Sequence, residues 1–374
     1  MIPVNEPLIG KDELRNVMDC VKSGWISSKG SYINKFEEEF ASFCGVKYGV
    51  STTNGTTALH LALASLGIKK GDEVIMPTFT MIATAYAVMY TGAKPVFVDS
   101  ERETWNMDVS KVKEAITART KVILPVHIYG HPVDMGEISR LAKKHGLYVV
   151  EDAAEAHGAE YKGKKCGSLG DIGCFSFYGN KIVTTGEGGM VVTNSKKIAE
   201  KARLLKDLAH SPGKRFLHMY LAFNYRMTNM QAAIGLAQTR RIKELIAKKR
   251  WIADMYRENL EGMKGLTLPA EKEWARNVYW MYSVLVEKDF GMSRDTLMEK
   301  LFKEGVDTRA FFVPMHRQPV IVKEGIKPVK GGYPVADGIS RKGLYLPTGL
   351  TLTKKDILTV CGKLEKVQKS AGKA

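Results

Sequence analysis

Between about residues 50 and 240, short runs of consecutive apolar residues alternate with stretches of helical spacing, and this restricts the fold more than any other feature of the chain. The runs are VIMPTF, KPVFVDS, KVILPVH, LYVVEDA, IGCFSF and GGMVVTN. A strand that is apolar at successive positions has both faces covered, which predicts a mostly parallel sheet between helical layers. TALHLALASLG, MGEISRLAKKHG and KIAEKARLLKDLA supply helices, and the first two end at glycine, as helix C-termini commonly do. The result is an α/β domain, in which ligands collect at the carboxyl ends of the strands.

The pattern changes beyond a long basic helical stretch near 229–260. NVYWMYSVLV and GVDTRAFFVPMH read as strands, and SRDTLMEKLFKEG and TKKDILTVCGKLEKVQ as helices, giving a smaller α+β domain. The expected organisation is an N-terminal helix and loop over 1–30, a large domain over 31–250 and a small C-terminal domain over 251–374. No apolar run approaches the roughly 18 residues of a membrane span, and the N-terminus MIPVNEPLIGKDE lacks the pattern of a signal peptide. Five scattered cysteines without C-x-x-C spacing point to a reducing, cytoplasmic setting and to no metal site. The net charge of +16 is spread among glutamates, as in TRRIKELIAKKR, which argues against a nucleic-acid partner and leaves room for attraction of an acidic small substrate.

Three stretches carry the chemistry. In STTNGTTALHLALASLG, small residues, Gly55, Thr56 and Thr57 open a helix whose free N–H groups form an anion cradle, although a plain capped helix start reads the same way. It lacks the signatures of ATP- and NAD-binding loops. In VVEDAAEAHGA, Glu151 and Asp152 stand where an apolar strand ends, with Glu155 and His157 close behind. A carboxylate there serves as a helix cap, a metal ligand or the partner of a protonated ring nitrogen. In CFSFYGNKIVTTGEGG, Lys181 follows Ser176 between a buried strand and a glycine-rich turn. A lysine in such a pocket is a Schiff-base candidate; elsewhere it is a surface residue. Cradle, carboxylate and amine together match the phosphate, the pyridine nitrogen and the aldehyde of pyridoxal phosphate.

The stretches NGTTALHLAL, DEVIMPTFTMIAT, PVHIYGHPVDM, VVEDAAEAHGA, GSLGDIGCFSFYGNKIVTTGEGGMVVTN and FNYRMTNMQAAIGLAQ resemble the DegT/DnrJ/EryC1/StrS family of nucleotide-sugar aminotransferases, over nearly the whole chain. The resemblance implies the type I, aspartate aminotransferase-like fold and a homodimer with shared active sites. It also implies pyridoxal 5'-phosphate as cofactor, with the pyridoxamine form as intermediate, and L-glutamate as amino donor. Catalytic Lys181 would be the Schiff-base lysine and Asp152 the partner of the pyridine nitrogen. Ser176, Gly55, Thr56 and Thr57 would hold the phosphate, and Glu155 would lie near the ring's 3-oxygen. Asn224 would reach the neighbouring subunit's cofactor, and Met81 stands where many relatives place an aromatic over the ring. Trp25 and Ser27, Ser28 and Lys29 of the N-terminal loop, Arg226, and the stretch from Arg309 through Phe311 to His316 are the candidate substrate contacts, with core packing an equal reading for Phe311 and Phe312. The resemblance of SGWISSKG and FYGNKIVTTGEGGM to members of that family implies amination at C4 of GDP-4-keto-6-deoxy-D-mannose for surface polysaccharide. The alternatives are C3 or C4 of a UDP- or dTDP-linked keto-sugar and, in another class, a regulatory protein that binds the same cofactor. A sugar 3-dehydratase would carry His in place of Lys181.

Overall fold

The computed structural model describes residues 1–326, 328–329 and 331–371, so 372–374, the end of the expected small domain, lie outside the described residues. Seven strands build the central sheet: β1 (Tyr48–Thr52), β2 (Glu73–Pro77), β3 (Lys94–Val98), β4 (Thr120–Ile123), β5 (Tyr148–Asp152), β6 (Ile172–Ser176) and β7 (Gly189–Thr193). Their order is β1-β7-β6-β5-β4-β2-β3, and β2 to β6 are parallel, while β7 runs antiparallel to both of its neighbours. The six apolar runs all fall in this sheet. β1 was not among them, because Tyr48-Gly-Val-Ser-Thr is too polar to stand out, and only pairing with β7 makes it a strand.

Around the sheet pack α1 (Lys11–Ser23), α2 (Ser31–Cys44), α3 (Gly55–Ser65), α4 (Ile82–Tyr90), α5 (Val109–Ala115), α6 (Met135–His145) and α7 (Lys196–Lys206). Six successive residues of α3, Ala58 to Leu63, are buried, as a helix apolar on all sides requires. α1 belongs to the large core: Cys20 and Asn16 are buried against the chain, and Nδ2 of Asn16 donates to the carbonyl of Ala233 at 3.1 Å. The basic stretch expected as one helix is two, α8 (Asn229–Arg240) and α9 (Ile242–Leu260), broken at Arg241. Close to the break, the Thr239 hydroxyl donates back to the Gly235 carbonyl at 2.7 Å, a bond that bends helices.

A short exposed hairpin, β8 (His210–Ser211) and β9 (Lys214–His218), precedes α8. The smaller unit pairs β10 (Leu266–Thr267), β11 (Tyr282–Val286), β12 (Arg309–Ala310) and β13 (Gly343–Leu346) in the antiparallel order β10-β11-β13-β12. α10 (Arg294–Lys303), α11 (Pro319–Lys323), α12 (Pro334–Lys342) and α13 (Lys354–Ala371) complete it. Of GVDTRAFFVPMH Arg309 and Ala310 form the strand and Val306 makes an isolated bridge, and Pro314 and a 3₁₀ turn at Met315–Arg317 end the extended stretch.

The two cores meet inside α9. Ile242, Leu245 and Ile246 join the large one, whereas Ile252, Tyr256 and Leu260 pack with Tyr282, Leu301, Ile357 and Leu364 in the small one. The first residues of the chain join the smaller unit: Ile2 bridges Val306, and the Thr348 N–H donates to the Val4 carbonyl at 2.8 Å. Among the described residues no helix is long and apolar enough to cross a membrane.

Candidate active site

At the carboxyl ends of β2, β5 and β6 lies a cavity of about 400 Å³ walled by both units. One end is the N-terminus of α3. Asn54 caps it by accepting the Thr57 N–H at 2.9 Å, and the Asn54 N–H donates to the Thr57 hydroxyl at 3.1 Å. Gly55 and Thr56 line the cavity in front of that helix end. A Cβ on Gly55 would stand 2.7 Å from Cβ of Ser176, so only glycine lets helix and strand close to this distance. The first-turn N–H groups and the positive dipole end there form a seat for a phosphate. Thr57, one of the expected phosphate contacts, is not part of the lining: its hydroxyl is turned back to Asn54 by the cap.

The period of two in a strand separates the neighbouring carboxylates of β5 onto opposite faces. Asp152 faces the cavity, where the Thr84 hydroxyl donates to Oδ2 at 2.8 Å and the Ala154 N–H to Oδ1 at 3.1 Å. Burial raises its proton affinity above that of an ordinary aspartate, opposed by the Thr84 bond. Glu151 faces away and is committed to structure. It accepts the backbone N–H groups of Gly167, Leu169 and Gly170, each at 2.7 Å, and sits 3.0 Å from Nε2 of His127. Cys166 brings this to a buried group of three metal-ligand types, but the glutamate is already saturated with donors.

Lys181 reaches the cavity from the turn after β6. Its Nζ lies 3.5 Å from the centroid of the Trp280 ring and 3.8 Å from Oε1 of Glu155. Burial pulls the amine below its usual pKa, while Glu155 and Asp152 pull it back up. Burial likewise raises Glu155, with the Lys181 charge opposing. Trp280 is held by its Nε1–H, which donates to the Asn180 carbonyl at 2.7 Å. On the other side of the chain, Lys249 donates from a fully buried amine to the carbonyls of Trp280 (3.0 Å) and Thr348 (2.5 Å). His157 takes no part in the lining. It is stacked between Phe175 and Phe177 at 5.4 and 5.6 Å, and burial lowers its pKa to about 3.

Gly55, Thr56, Met81, Asp152, Glu155, Ser176 and Lys181 therefore meet on one cavity. Met81 stands at the rim, half exposed, with its sulfur accepting the Ala83 N–H at 3.0 Å. The expected substrate contacts fare differently. Phe311 is corrected: it is 4% exposed and packs on Tyr129 and Trp105 at 4.8 and 5.3 Å, so it is core, and its neighbour Phe312 lines the cavity. His316 lies outside the lining, with both ring nitrogens engaged, Nδ1 with Thr78 at 2.8 Å and Nε2 with Asp337 at 3.1 Å. Arg309 is exposed and paired with Asp307, and Arg226 is paired with Asp207; neither lines the cavity. Asn224, Trp25, Ser27 and Lys29 are exposed and Ser28 half-buried, all outside the lining. The loop of 25–29 is tethered to α8, where Asn229 donates through Nδ2 to the Trp25 carbonyl (2.7 Å) and through its backbone N–H to the Ser27 carbonyl (2.6 Å).

Phe312 lies in the stretch expected to contact substrate, whereas Thr84, Trp280 and Tyr345, which also line the cavity, were not anticipated. Trp280 and Tyr345 flank or occupy small-unit strands remote in sequence from Lys181, and only the closing of the two units brings them together. Thr84 carried one legible signal: it is a polar residue on an otherwise apolar helix, IATAYAVMY.

The cavity offers a helix end for a phosphate, a carboxylate for a ring nitrogen and an amine for a carbonyl, the working parts of an aminotransferase on the type I fold. The chain belongs to the DegT/DnrJ/EryC1/StrS aminotransferase family, whose model matches residues 7–365. It is similar to GDP-perosamine synthase of Caulobacter vibrioides, 45% identical over 367 residues and 98% of each chain. It is also similar to GDP-perosamine synthase of Escherichia coli O157:H7, 44% identical over 360 residues and 96% of each chain. Among solved structures, the aminotransferase TlmJ from Streptoalloteichus hindustanus superposes with a TM-score of 0.92 at 32% identity, covering 100% of both chains.

Proposed function

We propose that the protein is a pyridoxal phosphate-dependent nucleotide-sugar aminotransferase that moves the amino group of L-glutamate to C4 of GDP-4-keto-6-deoxy-D-mannose. The products are GDP-perosamine and 2-oxoglutarate. The observation that carries this reading is the convergence of Lys181, Asp152 and the α3 N-terminus on one cavity, in a chain 42–45% identical to three GDP-perosamine synthases.

The residues fit the cofactor. Gly55, by admitting no side chain beside Ser176, leaves the α3 N–H groups and Thr56 open to a phosphate. Bound there, pyridoxal phosphate supplies an aldehyde that carries the amino group and a cationic ring that takes up the electrons released at carbon. Asp152 keeps the ring nitrogen protonated, and the buried Thr84 hydroxyl holds the carboxylate in the anionic form that this requires. Lys181 Nζ would hold the aldehyde, and the arriving donor would free the amine. Once free, Nζ takes the proton from Cα of glutamate and, in the second half-reaction, delivers one to C4 of the sugar. Trp280, Phe312 and Tyr345 shield this amine from water. The basic net charge raises the local concentration of a nucleoside diphosphate sugar.

Asn224 serves the neighbouring subunit's site in a homodimer. Support comes from the hairpin preceding it, which exposes Phe216, Leu217, Met219, Tyr220 and Leu221, an apolar surface of the kind that marks an interface. An active monomer in light scattering at assay concentration would refute this. The setting is the cytoplasm, and the product feeds surface polysaccharide such as O-antigen. The substrate test incubates the enzyme, pyridoxal phosphate and L-glutamate separately with GDP-, UDP- and dTDP-linked keto-sugars, and identifies the amino-sugar by mass spectrometry and NMR. Preference for a UDP or dTDP sugar, or amination at C3, overturns the substrate and leaves the transamination standing.

A further inference from the structure

Lys181 works as a nucleophile only after losing a proton, and its surroundings restrict where that proton goes. On one side of Nζ is the Trp280 ring, at 3.5 Å, which accepts no proton. On the other is Oε1 of Glu155, at 3.8 Å, the ion-pair partner of Lys181 among the described residues. Asp152 and Glu187 are the other carboxylates lining the cavity; Glu187 is exposed, and Asp152, whose charge also acts on the amine, is already engaged by Thr84 and Ala154.

The two oxygens of Glu155 are not equivalent. Oε2 accepts the Tyr129 backbone N–H at 2.7 Å. That N–H is aimed by an unusual backbone: Tyr129 has φ 52° and Gly130 φ 100°, so a tyrosine is held in the left-handed region just where its amide meets the carboxylate. An oxygen occupied by a donor is a poor place for a proton, so a proton on Glu155 goes to Oε1, the oxygen that faces Nζ. The separation of 3.8 Å closes to a hydrogen bond with a small rotation of either side chain, and such contacts tighten when the site is loaded.

We propose that Glu155 is a catalytic proton partner of Lys181: its Oε1 takes the proton that Nζ releases on becoming a nucleophile and keeps it while the freed amine serves as base. The transfer converts ammonium and carboxylate into amine and carboxylic acid, with no other reactant. Glu155 and Lys181 then share one proton, both side chains being largely buried. Burial favours this neutral arrangement, since it lifts the carboxyl and lowers the amine. The other titratable groups around the pair are Asp152, Tyr129 and Tyr345, which face Glu155, Lys249, which sits behind Trp280, and the buried His157, which feels the Lys181 charge. The inference rests on the cofactor reading above and adds a role for Glu155 beyond contact with the ring.

The test follows the rate at which the full-length, cofactor-free protein captures pyridoxal 5'-phosphate, by absorbance, as a function of pH. A pair sharing one proton keeps a constant fraction of neutral amine between its two macroscopic titrations, so the wild-type rate reaches a plateau as the pH falls. In Glu155→Gln the amide accepts no proton, and the rate falls about tenfold per pH unit below the lysine's own titration, without a plateau. The infrared difference spectrum of wild type minus Glu155→Gln at neutral pH should contain the carbonyl stretch of a protonated carboxyl group. A wild-type profile falling about tenfold per unit with no plateau, or a difference spectrum lacking that stretch, overturns the proposal. The wild-type profile decides by itself if the variant does not fold. Failure of wild type to capture the cofactor at any pH overturns instead the reading on which the proposal rests.

Discussion

Replacing Thr84 by valine removes the hydroxyl that donates to Oδ2 of Asp152 at 2.8 Å and changes little else in shape. Thr84 is 1% exposed and Asp152 5%, so the lost donor sits where solvent has little access. A hydrogen bond to a charged group is worth about 1.5–3 kcal/mol, and one pKa unit corresponds to about 1.4 kcal/mol. The Asp152 titration should therefore move up by roughly one to two units, beyond the rise that burial already imposes. The direction of the functional effect follows from the charge state. The carboxylate is the form that holds a protonated ring nitrogen, so affinity for pyridoxal phosphate persists above the Asp152 titration and falls as the pH drops through it. In Thr84→Val that fall begins at higher pH, and well above both titrations the two proteins bind alike. Absorbance titrations of cofactor affinity across pH measure the displacement directly, because the cofactor's own ionisations cancel between the proteins. An unmoved break, or an affinity loss equal at every pH, would refute the reasoning and reduce Thr84 to a packing residue.

Lys181→Ala should abolish multiple turnover; steady transamination by the purified variant would remove the lysine from the mechanism. In Gly55→Ala the new methyl would stand 2.7 Å from Cβ of Ser176, an overpacking that costs about 1–3 kcal/mol. Cofactor affinity should drop roughly tenfold or more, and equilibrium binding at the wild-type level would count against the phosphate seat. Burial lowers the Lys249 pKa to about 7, so the unfolded chain binds the extra proton between there and the ordinary lysine value. Stability should rise with pH across that window and be lost as pH falls through 7. Urea midpoints of Lys249→Met should lack this rise, and parallel curves for the two proteins would show that the amine is not the source.

The large-domain strands were legible because strands covered on both faces must be apolar at every position, a local pattern that needs no tertiary knowledge. The anion cradle, strand-end carboxylate and turn lysine were legible for a similar reason: each is a short motif whose geometry its own neighbours impose. Asp152 separates from Glu151 only through the facing of β5, and the phenylalanine pair at 311 and 312 divides in the same way, one ring into the core and one into the cavity. No spacing rule tells which of two adjacent residues faces a cavity until the strand is packed. Trp280 lies 99 residues from Lys181, and Tyr345 farther still, so their approach depends on how the small unit closes on the large one. Likewise, the composition alone marks Lys249 as one lysine in a basic helix, and only the carbonyls of Trp280 and Thr348 show why an amine sits there without water. Short-range sterics and hydrogen bonding wrote the motifs into the sequence; their exposure, partners and proton affinities come from burial, which the folded chain sets as a whole.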